Sequence, residues 1–291
     1  LLRDEMECVL TGEAVVPDRA ATTAVFRIVG ERVGSAFESS IRPDETPLVG
    51  RSGEIAQLTS LWRRAEGGGL AIVLLQGEAG IGKSRLVREL RRLVTPEAFV
   101  ACRCVQEGRD TPLHPILTWL RQLPLEQLLG EHGFDVPTTW PLLADLLQVS
   151  RGAHEPPRLS PERQKELTLQ TVASLVLRMA ARHPLVVTIE DVHWQDPTTA
   201  DFIARLVDEA RAAHQPGASR PPGLLLLCSA RPEHAATWAG PDVTVMPLGR
   251  LSRDEIAAIL DSNRAPEETR SAVVLDRIVE RTDGVPLFVE E

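Results

Sequence analysis

Leu70-Ala-Ile-Val-Leu-Leu-Gln-Gly-Glu-Ala-Gly-Ile-Gly-Lys-Ser84 is the stretch that decides the fold. Its first six residues are an uninterrupted apolar run of strand length, as in a strand covered on both faces of a parallel sheet. A glycine-rich turn follows at once, and Leu86, Val87, Leu90 and Leu93 then recur at helical spacing. Strand, Gly77-x-x-x-x-Gly82-Lys83-Ser84 and helix, in that order, match a phosphate-binding loop. At average residue frequencies the string arises by chance in roughly one chain of this length in a hundred, and the flanking elements make it rarer still. The spacing has a chemical reason. Gly77, Gly80 and Gly82 let the backbone turn its N–H groups inward as a nest for phosphate oxygens. The helix starting near Lys83 presents its positive end to the same charge. Lys83 can reach β- and γ-phosphates, and Ser84 can place its hydroxyl on Mg2+. The plainer alternative is a glycine-rich turn with a solvated lysine.

A second buried-strand run, residues 185–189, ends on Glu190-Asp191. A phosphate loop needs a metal partner at the carboxyl end of a neighbouring parallel strand, where ligands of open α/β sheets gather. Glu190 is the candidate metal ligand, directly or through water, and Asp191 the candidate for polarising an attacking water. An acidic pair in a solvated turn is the alternative. His193 either tunes that water-activating group or satisfies a buried polar contact. Trp194 reads as core packing, and Asp196 as the cap of a helix opened by Pro197. The run 224–227 continues into Cys228-Ser-Ala-Arg231-Pro232. Its end would lie beside the acidic one, so Arg231 is either a γ-phosphate sensor or a plain surface arginine, and Ser229 is a weaker candidate. The catalytic candidates are thus Lys83, Glu190, Asp191 and Arg231; the metal candidates are Ser84 and Glu190.

Strand-like runs at 70–75, 98–105, 185–189, 224–227 and 243–245 alternate with helical patterns. That alternation predicts a doubly wound parallel α/β sheet with helices on both faces, spanning residues 47–249. Residues 106–158 read as a proline-rich insertion with short helical pieces around 116–120 and 142–147. Residues 1–46 read as the tail of a preceding domain, with one candidate strand at 24–29 and a linker at 39–47. Past residue 250 the periodicity changes. Ser252-Arg-Asp-Glu255 is a capping box, and a further helix from about 266 to 281 stops at Gly284. This predicts the start of a helical lid, 250–291. The chain opens on Leu1 and stops at Glu291 in mid-pattern, so a longer parent is expected.

The chain has 291 residues, 43% apolar and 25% charged, which suits a globular protein. Thirty-two basic against forty-one acidic side chains give a net charge of -9. No direct nucleic-acid contact is expected from that balance, although one local phosphate site remains possible. No apolar run approaches the roughly 20 residues of a membrane span, and a cytoplasmic location is expected. Cys8, Cys102, Cys104 and Cys228 form no CxxC pair and read as buried thiols of a reducing compartment. His132, His154, His214 and His234 are expected at the surface.

The strings Thr46-Pro-Leu-Val-Gly-Arg51, Leu75-Gln-Gly-Glu-Ala-Gly-Ile-Gly-Lys-Ser-Arg-Leu86, Ile189-Glu-Asp-Val-His-Trp-Gln-Asp-Pro197, Ser229-Ala-Arg-Pro-Glu233 and Thr282-Asp-Gly-Val-Pro-Leu-Phe-Val-Glu-Glu291 resemble, in order, the nucleotide-binding domain of STAND signalling NTPases, relatives of the AAA+ family. They are most similar to the ATPase module of bacterial class III adenylate/guanylate cyclases, and similar also to that of large LuxR-type regulators. The resemblance implies an ATP/ADP- and Mg2+-binding switch of low turnover. A non-catalytic nucleotide-binding scaffold is the alternative. It implies that Gly77, Glu78, Ala79, Gly80, Ile81, Gly82, Lys83, Ser84 and Arg85 surround the phosphates. Val49, Gly50 and Arg51 would strap the adenine side, and Gly284 and Pro286 would pack on the base. Other domains of a longer parent, and self-association, are the partners it implies.

Overall fold

The computed structural model describes residues 6–15, 22–31, 48–155, 158–215, 221–262 and 272–290. The chain divides into two units, the first of them centred on residues 1–47. That unit holds two antiparallel strands, β1 (Met6–Val15) and β2 (Thr22–Glu31). The strand expected at 24–29 lies inside β2. The first strand is not evident in the sequence, and its ladder shows why: register shifts at Glu7/Cys8 and Leu10/Gly12 break the two-residue alternation by which a strand is recognised. The linker expected at 39–47 lies outside the described residues.

Five parallel strands carry the second unit: β3 (Leu70–Gln76), β4 (Phe99–Arg103), β5 (Leu185–Glu190), β6 (Leu224–Ala230) and β7 (Val243–Pro247). Their order across the sheet is β4-β5-β6-β3-β7. Every residue of the central strand β6 is buried. Alternate side chains face opposite layers. Ala71, Val73, Leu75, Leu225 and Leu227 meet Leu58 and Trp62 of α1 (Ser52–Glu66) and Leu86 and Leu90 of α2 (Lys83–Arg92). Ile72, Leu74, Val187, Ile189, Leu224 and Leu226 pack into the opposite layer. That layer takes in α3 (His114–Leu120), α4 (Leu125–Glu131), α5 (Val136–Leu147), α6 (Pro161–Arg182) and α7 (Pro197–Ala213). The helices cover both faces, and the fold is a P-loop-type doubly wound α/β sheet. The insertion contributes three helices to that core, where the sequence showed only two short pieces.

The strand order corrects one expectation. The acidic strand β5 is not the neighbour of β3, because β6 lies between them. Two strand spacings, roughly 10 Å, therefore separate the loop strand from the acidic one. Chain order alone does not reveal such an interposed strand.

After β7 come α8 (Arg253–Ser262), α9 (Ala272–Thr282) and α10 (Pro286–Glu290), around a small core of Leu251, Ile256, Ile259, Leu260, Leu275 and Val289. The capping box forms: Ser252 N donates to Glu255 Oε2 at 2.6 Å, and Glu255 N to Ser252 Oγ at 3.4 Å. The helix expected from residue 266 is described from Ala272 on. Among the described residues no helix is long and apolar enough to cross a membrane. Cys102, Cys104 and Cys228 are buried free thiols, and burial pushes Cys104 up to about 12. The four histidines expected at the surface are half-buried instead.

Candidate active site

The phosphate loop is held from below by the sheet. Gly77 N donates to Ala230 O at 3.1 Å, which extends the β3–β6 ladder one residue into the turn. Ile81, 1% exposed, anchors the far side in the core, so only its backbone can face a ligand. Glu78 and Ala79 lie exposed at the crest, and Ser84 and Arg85 are half-buried in the first turn of α2. Lys83 is 8% exposed, and its Nζ donates to Gly77 O and Glu78 O, each at 2.8 Å. The ammonium is thus folded back into the loop and away from solvent. Burial lowers its pKa; Asp191 and Glu190 oppose that shift and the Arg231 guanidinium adds to it. The four charged groups therefore share one electrostatic neighbourhood.

The acidic end is built from side chains of three strands. Asp191 has a positive φ of 55°, in the left-handed region that a non-glycine residue enters at a cost. Its N–H donates to Ser229 Oγ at 3.0 Å, and Ser229 is fully buried on β6. Its carboxylate pairs with Arg103, the last residue of β4: Nη2 and Nε lie 3.1 and 3.2 Å from Oδ2. Sequence reasoning missed Arg103, which is the register partner of Glu190 across the sheet. Its only sequence signal is a lone charge between Cys102 and Cys104 at a strand end. Asp196 caps α7 as expected, its Oδ1 accepting from Thr198 N at 2.9 Å and Thr199 N at 3.0 Å. Between Asp191 and Asp196 a short 3-10 turn, Val192–Trp194, carries His193 and Trp194. Burial lowers the His193 pKa, with Asp191 opposing and Arg231, Lys83 and His234 adding to the effect.

The segment before α1 and the C-terminal helices both contact the loop. Arg51, 6% exposed, donates from Nη2 to Ile81 O at 3.2 Å and to Gly249 O at 2.6 Å, and from Nη1 to Glu54 Oε1 at 3.1 Å. Its guanidinium thereby ties the start of α1, the loop and the segment leading to α8 together. Val49 packs on the small core of the C-terminal helices. From α10, Leu287 N donates to Gly80 O at 3.3 Å. Gly80 has φ +76°, and a β-carbon there would lie 2.9 Å from Leu287 Cβ and 3.1 Å from Val285 Cγ1. Val285 and Leu287, which the sequence reading did not single out, are thus the C-terminal residues that meet the loop; Pro286 between them is half-buried. Gly284 has φ +72° and accepts from Leu251 N at 2.8 Å. Arg250 joins Glu78, at 3.3 Å, to Asp283.

These residues suit a nucleotide and its metal. The loop is a concave backbone turn with a buried ammonium, and a second cation, Arg231, stands near it. Among the described residues no group of three His, Cys, Asp or Glu side chains could hold a metal. The Ser84 hydroxyl and the Glu190 carboxylate are oxygen donors of the kind Mg2+ takes when phosphates supply the rest of its shell.

The chain is 30% identical over 304 aligned positions to an uncharacterized protein of Rhizobium meliloti (strain 1021), covering 97% of the chain and 28% of that relative. The chain thus spans less than a third of the relative's length. Solved structures similar to it include a Signal Transduction ATPase with Numerous Domains (STAND) protein with a tetratricopeptide repeat sensor from Pyrococcus horikoshii, at TM-score 0.46 and 15% identity, covering 84% of the chain and 30% of the other. A Walker-type ATPase of Pyrococcus abyssi is similar at TM-score 0.47 and 14% identity, covering 86% and 68%. The ORC1 protein of Aeropyrum pernix, in complex with DNA, is similar at TM-score 0.46 and 15% identity, covering 86% and 60%. The model of the AAA ATPase domain matches residues 47–218, more than half of the chain. With that match, and with a phosphate loop set in a parallel sheet, the chain belongs to the AAA ATPase domain family.

Proposed function

We propose that the chain binds ATP with Mg2+, hydrolyses it slowly, and serves as a nucleotide-dependent switch within a longer, cyclase-linked cytoplasmic signalling protein. The observation that carries the reading is Lys83, buried in its loop and coupled electrostatically to Asp191, Glu190 and Arg231. Residues 47–249 would form the NTPase domain, 250–291 the beginning of a lid, and 1–46 the tail of a preceding domain.

In this reading the loop N–H groups from Gly77 to Ser84 cradle the phosphates. Lys83 leaves the carbonyls of Gly77 and Glu78 to meet the β- and γ-oxygens. Ser84 and Glu190 would hold Mg2+, which when bound would neutralise charge developing on the phosphate oxygens. Asp191 would orient a water against the γ-phosphorus; the water oxygen bonds to that phosphorus as its bond to the β–γ bridging oxygen breaks, the water's proton passes by way of Asp191 to the released phosphate, and ADP and phosphate leave. Arg231 faces the γ-phosphate, and Val49, Gly50, Arg51, Gly284 and Pro286 border the base. Because Gly80 carries the lid through Leu287 and Val285, phosphates in the loop would bias the lid's position. The sequence strings that resemble STAND proteins support the signalling role and self-association through this module, and the relative's greater length agrees with a longer parent.

A second reading has one observation in its favour. Arg103 engages the Asp191 carboxylate, as in a scaffold that holds ADP or ATP without turnover. A LuxR-type regulator is the alternative parent. Phosphate release from ATP, with and without Mg2+, together with mass spectrometry of nucleotide retained through purification, separates the readings. Slow, Mg2+-dependent release supports the switch. Retained ADP with no release supports the scaffold.

A further inference from the structure

Trp194 stands half-buried between two fixed points, Val192 at 0% and Asp196 at 4% exposure, so the 3-10 turn has little freedom to move the ring. Two guanidiniums lie over that ring. Arg231 Cζ is 5.6 Å from its centroid and Arg109 Cζ is 5.3 Å, both within the roughly 6 Å reach of a cation–π contact. The two arginines differ in setting. Arg109 is exposed, on the segment after β4. Arg231 is half-buried and directly follows β6, the strand between the loop strand and the acidic strand. Its charge is felt at both Lys83 and His193. A flexible arginine beside another cation would swing toward solvent unless something held it, and an aromatic face holds a guanidinium without neutralising it.

We infer that Trp194 is a positioning residue that aims the Arg231 guanidinium at the terminal phosphate of the bound nucleotide, and so sets the preference for triphosphate over diphosphate. The inference rests on the ATP-binding reading above. It gives Trp194 a role beyond the core packing that the sequence suggested, and explains why an aromatic ring follows the acidic pair so closely.

The test is the ratio of ADP to ATP dissociation constants, measured by calorimetry with Mg2+ on the intact chain. A loss of packing alone weakens both nucleotides and leaves the ratio unchanged. Trp194→Leu is expected to lower the preference for ATP about tenfold, as is Arg231→Ala, and the double variant to lower it no further than twofold beyond either. Trp194→Phe keeps an aromatic face and is expected to restore most of the preference. Arg109→Ala is expected to leave it within twofold. An unchanged ratio in Trp194→Leu, full additivity in the double variant, or an equal loss in Arg109→Ala would overturn the inference. A wild-type chain that bound neither nucleotide would overturn both the inference and the reading beneath it, whereas tight binding with no preference to lose would overturn the inference alone.

Discussion

The two halves of the candidate site are built by different means. The phosphate loop is held mainly by backbone and apolar contacts, with one buried guanidinium: the ladder bond to Ala230, Ile81 in the core, Leu287 and Val285 against Gly80, and Arg51 on Ile81 O. The acidic end is held largely by side-chain polar groups of neighbouring strands, Ser229 from β6 and Arg103 from β4. Backbone and packing tolerate little change, while partly exposed ion pairs are soft and screened by salt. One half is thus a rigid receptacle. The other is adjustable, which suits a group that must form and release contacts during a reaction.

Substitutions that strike one half and spare the other can break this contrast. The largest effect is expected from Lys83→Ala, which removes the buried ammonium: calorimetry should show ATP affinity falling by a hundredfold or more. Wild-type affinity would refute the loop's role. Next comes Gly80→Ala, where a β-carbon would enter the contact with Leu287 and Val285 at positive φ. It should cost about 1–3 kcal/mol in urea unfolding, and Leu287→Ala should relieve part of that cost. On the softer side, Arg103→Ala should cost about 1 kcal/mol or less, since the pair is 37% and 18% exposed. That penalty should shrink further in 1 M salt; a loss as large as that of Gly80→Ala would erase the distinction between the halves.

The smallest effect concerns pH. Burial holds the pKa of His193 and His234 below the ordinary 6.5. Below 6.5 the unfolded chain therefore takes up protons that the native one refuses, and stability falls as the pH drops toward the native pKa values. The melting temperature should decline between pH 7 and 5.5, and the decline should flatten when both histidines are replaced by Gln. Stability that rose on acidification would show that the two imidazoles are not held neutral.

Legibility followed the same division. The loop lies within eight consecutive residues, Gly77 to Ser84, so it could be located without any tertiary knowledge. The apolar runs likewise marked β3, β5 and β6, because strands buried on both faces carry little polar interruption; the edge strands β4 and β7 are only partly buried and were marked by shorter, mixed runs. Arg103 could not be found that way. Its partner lies 88 positions away, and only the strand order brings them together. The interposed β6 was hidden for the same reason. Val285 and Leu287 were hidden because an apolar residue that packs on a glycine looks like any other apolar residue. Trp194 was read as core, and it does pack against the core layer; its contact with two arginines depends on where the strands on either side end.

The central claim is that the loop around Lys83 and the carboxylates at the end of β5 serve one nucleotide and its metal, although β6 lies between their strands. Single-turnover phosphate release from Mg2+-ATP by the chain carrying Glu190→Gln and Asp191→Asn tests it most directly. The account expects ATP to remain bound within about threefold of wild-type affinity while release slows by a hundredfold or more. Release at the wild-type rate from that variant would contradict it.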